Sequence, residues 1–115
     1  MGLGGRFGHL NPGGSRDGAE ALVGGTLLDP ATQRMRMTSI KGLGPAHPEA
    51  AGYGYGIQKQ QSYYGHSGTI AGYNTEVLRD PDTDTTIVVV ATLTVAPDGT
   101  PVAPALASAV INALP

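Results

Sequence analysis

The sequence has no cysteine, no tryptophan and a single phenylalanine. Without cysteine there are no disulfides, no thiolate nucleophile and no Cys-ligated zinc. Charge is also scarce. Only 14% of residues are charged, with seven Lys or Arg against nine Asp or Glu and a formal net charge of -2. That leaves no basic patch for nucleic acid and no polybasic membrane anchor. Long apolar runs are missing as well: the longest aliphatic stretch, Ile87–Ala91, is far too short to span a bilayer. Met1–Gly5 lacks the charged and apolar regions of a signal peptide. These absences leave the compartment open. Leu, Ile, Val and Phe together make up 21% of the chain, just above the level at which disorder is expected.

What the chain has instead is glycine and proline, 23% together. Of the 18 glycines, 14 fall in residues 1–60, so the front is expected to be loop-rich and the back to carry most of the core. At 115 residues the chain is one domain or less.

Residues 1–18 read as a flexible Gly-rich segment and residues 19–115 as the structured portion. Gly13–Asp17 offers a helix start, and Ala19–Val23 reads as a short helix stopped by Gly24 and Gly25. Asp29 precedes Pro30, an N-cap acceptor before a proline suited to a first helical turn. Ala31–Thr38 can continue that helix for about two turns. Residues 41–52 read as a loop. Tyr53, Tyr55 and Ile57 alternate with Gly54, Gly56 and Gln58, a period of two that predicts a strand. Ser62–Ala71 and Tyr73–Arg79 are further strands, and Asp80–Asp84 is a turn. The unbroken apolar centre of Thr85–Thr94 predicts a strand buried on both faces. Pro97–Gly99 is a turn, and Pro101–Leu114 closes as a helix with Val102, Leu106, Ala109, Val110 and Ala113 on one side. This order predicts an α+β fold: an incomplete antiparallel sheet of three to four strands, flanked by short helices and a C-terminal helix.

Some tempting sites do not hold up. His9 and His47 lie far apart in Gly/Pro-rich loops without i, i+4 partners, so no metal site is expected. Asp80, Asp82 and Asp84 are spaced like the start of a calcium loop, but the sixth-position Gly and the closing Glu are missing. Gly2–Gly8 lacks the preceding strand and the Gly-Lys-Ser/Thr ending of a phosphate loop.

The segments Tyr64–Asn74, Arg79–Asp84 and Ile87–Ala91, in that order, resemble the C-terminal part of the serine β-lactamase and penicillin-binding protein family. They are most similar to its D-alanyl-D-alanine carboxypeptidase and class C β-lactamase-like branch. In that branch a Gly-His-Ser/Thr-Gly strand follows a Tyr-Gly-x-Gly strand, here Tyr53–Gly56. Gly24–Pro30 repeats a phrase that the family often carries ahead of these strands. The resemblance covers roughly residues 16–114 and implies that residues 19–115 form the C-terminal portion of a β-lactamase-like serine hydrolase domain.

The resemblance assigns roles residue by residue. His66, Ser67 and Gly68 match the family's third signature. His66 would place a donor or positive charge near the substrate carboxylate, and Ser67 a hydroxyl to the same group. Gly68 would leave room for the substrate backbone. The Thr69 N–H would be one of two oxyanion-hole donors. Tyr64 and Tyr73, flanking His66, are the candidate aromatic binding residues. No cofactor is implied. The ligand would be peptide-like or β-lactam-like, with no nucleic acid and no membrane span.

The nucleophile motif is missing. The family's Ser-x-x-Lys pairs a serine with an activating lysine, but Ser15, Ser39, Ser62, Ser67 and Ser108 are followed at that offset by Gly18, Gly42, Gly65, Ile70 and Ile111. The Tyr-x-Asn signature is absent too, since Tyr73 and Asn74 are adjacent. The expectation is therefore a C-terminal fragment that is inactive alone. Its partner would be the missing N-terminal part of the same enzyme, or another copy joined through a sheet edge. The alternative is a non-catalytic module that kept the strand for binding a peptide or partner. A stand-alone enzyme using Ser67 and His66 is disfavoured, because neighbours on a strand point to opposite faces. The family is commonly exported, which would place the complete enzyme in the periplasm or outside the cell.

Overall fold

The computed structural model describes residues 12–43 and 51–115. Two helices come first, α1 (Pro12–Gly24) and α2 (Pro30–Thr38). Six strands follow: β1 (Lys41–Gly42), β2 (Ala51–Tyr53), β3 (Gln58–Gln60), β4 (Tyr63–Ile70), β5 (Tyr73–Asp80) and β6 (Thr85–Ala91). Helix α3 (Val102–Ala113) closes the chain. All six strands form one antiparallel sheet in the order β1-β2-β3-β4-β5-β6, as short connections between successive strands favour.

The α+β class is as the sequence implies, but the sheet has six strands rather than three to four. The surplus comes from two places. The ends of the expected 41–52 loop are strands β1 and β2; His47 and the rest of residues 44–50 lie outside the described residues. The Tyr53–Gln58 alternation is a turn and not a strand: the Gly54 N–H donates to the Ile57 carbonyl at 2.8 Å, and Gly56 has φ +66°. A positive φ is open to glycine at no steric cost, so the glycines here reverse the chain between β2 and β3.

Helix α1 also differs from expectation, since it takes in Pro12–Gly18 of the segment read as flexible. Burial of Ala19 and Val23 carries the helix through its glycines, because tertiary packing supplies most helical stability. It ends as predicted, with Gly25 at φ +80°. Helix α2 starts as predicted, the Asp29 carboxylate accepting the Thr32 N–H at 3.0 Å. Gln33 ties the two helices together by donating to the Leu22 carbonyl at 3.0 Å.

Strands β5 and β6 are covered on both faces. Along β5, Asn74, Glu76, Leu78 and Asp80 are buried in alternation. On their face Leu78 pairs with Ile87 and joins Tyr63 beneath Ala107 and Ile111 of α3. The other face carries Val77 and Arg79, and α1 packs there, with Arg79 3.6 Å from Glu20. Helix α3 buries Ala103, Ala107 and Ile111, not the stripe of Val102, Leu106, Ala109, Val110 and Ala113. Leu106 and Val110 are 49% and 42% exposed. Alanines on the inner face let the helix sit close to the sheet, so the bulkier residues end up outside.

Strand β6 is shorter than the expected Thr85–Thr94 and is not buried on both faces: Ile87 is its one buried residue. Among the described residues it is the edge strand, paired with β5 alone. The fully enclosed strand is β5.

Candidate functional site

Strand β4 is paired on both sides only at Tyr64 and Gly65. Tyr63, Tyr64 and Gly65 pair with Gln60, Lys59 and Gln58 of β3, whereas His66–Ile70 pair with β5 alone. β3 does not extend further because the chain turns away through Gly54–Ile57. Among the described residues, the second half of β4 therefore presents one open edge.

Glycine shapes that edge. A Cβ on Gly65 would lie 1.8 Å from the Val77 carbonyl oxygen, so β4 and β5 approach this closely only because residue 65 has no side chain. A Cβ on Gly68 would meet nothing within 4 Å, and the backbone there faces open space.

His66 is exposed and sits at the start of the edge. Its Nε2 lies 2.5 Å from the Tyr53 hydroxyl, and the two rings meet edge to face at 5.5 Å. Its Nδ1 approaches the Ser67 carbonyl. By register, His66 is opposite Val77 and Ser67 opposite Glu76. The two side chains thus leave the strand on opposite faces and are not brought together. Tyr64 shares the His66 face and has the Lys59 Nζ 5.6 Å above its ring. Tyr73 pairs with Ile70 at the far end of the β4–β5 hairpin. Thr69 is exposed and pairs with Asn74, whose Nδ2 donates to the Thr69 Oγ1 at 3.0 Å.

The structure gives Tyr53 a place at the site and adds three residues that sequence reasoning passed over, Asn74, Gln58 and Glu76. Tyr53 touches His66. Asn74 is 2% exposed and accepts the Ala103 N–H at 2.7 Å, supplying the cap that Pro101 does not provide at the start of α3. Gln58 donates through Nε2 to the Oε1 of Glu76. Glu76 is 1% exposed, and its Oε2 is buried with no hydrogen-bond partner among the described residues. Burial pushes its carboxyl up to about 7, against the lowering effects of the Gln58 hydrogen bond and of His66. One sequence signal was available: Asn74, Glu76 and Asp80 alternate in phase with Leu78, placing polar groups on a core-facing side.

A protein-family model described as Beta-lactamase matches residues 5–111. The chain belongs to the beta-lactamase family. No curated protein matches it. The match takes in the helices ahead of the sheet as well as the His66–Ile70 strand, so this beta-lactamase-family chain is serine-hydrolase-like through nearly its whole length. Its antiparallel sheet with flanking helices is in keeping with that family. No helix among the described residues is long and apolar enough to cross a membrane.

Proposed function

We propose that this chain supplies the substrate-strand wall of a serine-hydrolase cleft, in the D-alanyl-D-alanine carboxypeptidase and class C-like branch of the family. The observation that carries this reading is the open edge at His66–Ile70. An extended peptide can join such an edge as an added strand, held by main-chain hydrogen bonds.

The hydrogen-bond phase of the hairpins supports it. Ile70 and Tyr73 flank a two-residue turn, and so do Gln60 and Tyr63. In an antiparallel pair, hydrogen-bonded and non-hydrogen-bonded positions alternate. Counting from either turn directs the Ser67 and Thr69 N–H groups away from β5, toward the edge that β3 has left. Thr69 is then available as one oxyanion-hole donor, a contribution of about 3 kcal/mol at a transition state. His66 offers a donor or positive charge to a substrate carboxylate, Ser67 a hydroxyl, and Gly68 a clear path for the substrate backbone. Tyr64 and Tyr73 border the His66 face.

No serine in the sequence carries a lysine three positions on, so the nucleophile comes from outside this sequence. The partner is the N-terminal part of the same enzyme, or another copy. The β6 edge is the place for it: seven residues without a charge, paired on one side only among the described residues. An edge of that kind recruits a further strand.

Titration of the isotope-labelled chain with a peptide ending in D-Ala-D-Ala tests the reading. Amide shifts should concentrate at His66–Ile70 and weaken in His66→Ala. Shifts confined to other strands, or identical in His66→Ala, would overturn it.

A further inference from the structure

His66 and Ser67 leave β4 on opposite faces, so the two side chains do not both reach one carboxylate from where they stand. Tyr53 changes that. By register Tyr53, Gln58 and Gly65 stand opposite one another across β2, β3 and β4, and opposite residues share a face. That face is the α3 side: Gln58 bonds Glu76 there, and Tyr53 lines a cavity with Pro104 and Ser108 of α3. Ser67, opposite Glu76, is on it too. Tyr53 therefore belongs to the Ser67 side, yet its hydroxyl lies 2.5 Å from His66 Nε2. The contact sits where β3 ends at Gln58 and the open edge begins. Both Tyr53 and His66 are exposed, so a ligand at that edge can reach the hydroxyl.

The protons are assigned from the partners. His66 Nδ1 faces the Ser67 carbonyl, which only accepts, so Nδ1 carries a proton. In the neutral ring Nε2 is then a bare acceptor, and the Tyr53 O–H donates to it. The neutral ring and hydroxyl have no proton left for a ligand. In the imidazolium both nitrogens donate. Nε2–H then bonds the Tyr53 oxygen, and the hydroxyl turns its own proton outward. One proton is taken from solvent, at Nε2, and no other bond is made or broken.

Charged groups face these two residues from several elements. From β3, Lys59 lies over the Tyr64 ring. From β5, Arg79 is held by Glu20 of α1 and by Asp84. Arg16 of α1 pairs with Asp17 and Glu20. Lys41 of β1 stands opposite Tyr53. Glu76 of β5 is on the Tyr53 side, and burial pushes its carboxyl up to about 7, so it adds no negative charge in the acid range. Helix α3 has no charged residue.

We infer that Tyr53 is a substrate-binding residue: its hydroxyl, backed by the His66 imidazolium, meets the carboxylate end of an added strand on the same side as the Ser67 hydroxyl. His66 acts through Tyr53 and not on the ligand itself. This rests on the reading of His66–Ile70 as a substrate strand, and it gives that strand a preference for ligands that end in a carboxylate.

The test compares the D-Ala-D-Ala peptide with its C-terminal amide, each titrated at about pH 5.5, where an ordinary imidazole is charged, against labelled wild type and Tyr53→Phe. The variant keeps the ring and removes the hydroxyl. It should bind the acid peptide on the order of tenfold more weakly than wild type does, and the amide equally well. An acid peptide bound as tightly as by wild type, or an equal loss for both peptides, overturns the role of Tyr53. The ring nitrogens give a second readout. At about pH 9, above the range in which imidazoles titrate, the wild-type His66 proton should sit on Nδ1, and in Tyr53→Phe part of it should move to Nε2. A wild-type ring protonated on Nε2, or one unaltered by Tyr53→Phe, overturns the proton assignment and the proposal with it. Acetate, which has no strand to add, separates the two failures. At about pH 5.5 it should shift the His66 ring nitrogens of wild type and not those of Tyr53→Phe. If neither peptide binds but acetate gives that result, the substrate-strand reading falls and Tyr53 stands as a carboxylate-binding residue. Equal acetate effects in the two proteins overturn Tyr53 whatever the peptides do.

Discussion

The Asn74 side chain caps helix α3 by accepting the Ala103 N–H at 2.7 Å. The same amide donates to Thr69 Oγ1 at 3.0 Å, so one buried group joins the last helix, β5 and the open end of β4. Helix α3 has no side-chain cap of its own, which leaves Asn74 as its link to the sheet at that end.

Asn74→Ala should destabilise the chain by about 2 kcal/mol, combining a lost cap with unsatisfied buried groups. Asn74→Asp keeps the acceptor for Ala103 and should lose less. Urea denaturation of the three proteins checks the order, and an Ala variant as stable as wild type would remove the cap from this account.

The two glycines of the β4 strand should behave oppositely. Gly65→Ala puts a Cβ 1.8 Å from the Val77 carbonyl oxygen, which forces β4 and β5 apart. A loss of several kcal/mol, or failure to fold, is expected. At Gly68 an added Cβ meets nothing within 4 Å, so Gly68→Ala should leave the melting temperature within a few degrees of wild type while weakening peptide binding. Thermal melts and the peptide titration together decide it.

Glu76 gives stability a particular pH dependence. Its folded-state pKa of about 7 is raised from 4.5, so the folded state binds the proton more tightly than the unfolded chain does. The contribution is fully present below about 4.5 and is lost as pH rises through 7. After allowance for solvent screening, this is about 2 kcal/mol across the window. Glu76→Gln should abolish that fall and be the more stable protein at pH 8. Parallel denaturation curves at pH 5 and pH 8 for the two proteins measure it, and equal slopes would exclude Glu76 as the source.

The chain by itself should form no covalent adduct with benzylpenicillin and should not hydrolyse nitrocefin. Acylation needs an activated nucleophile, and no serine here has a lysine at the required spacing. Intact mass after incubation should be unchanged. A stoichiometric penicilloyl adduct on any serine would overturn the assignment.

The β6 edge should make the chain associate at micromolar concentration. Its centre, Ile87–Ala91, is uncharged and aliphatic, and Leu93, Leu106 and Val110 are exposed nearby in sequence or on α3. Such an edge is an association hazard. Light scattering across a dilution series should show mass above 11.7 kDa. A single monomeric species that unfolds cooperatively would mean the edge is closed by the chain itself.

Several features were decided by the sequence alone, and they share a physical basis. The Asp29 cap, the Gly24–Gly25 stop, the Asp80–Asp84 turn and strands β4 and β5 depend on backbone and side-chain chemistry within a few residues. The order of motifs around His66–Gly68 likewise identified the family from the chain itself. Tertiary structure decided the rest. The buried side of α3 depends on which side chains let it approach β5 and β6, so Ala103, Ala107 and Ile111 prevailed over a bulkier apolar stripe. The Tyr53–Gln58 alternation became a turn because β2 and β3 pair with each other, and β6 became an edge because β5 is its one partner among the described residues. The alternation with Leu78 puts Glu76 on the core-facing side of β5, but it is Gln58, 18 residues away, and the helix beyond that close over it. Its burial is completed by groups distant in the chain, which the alternation by itself does not identify.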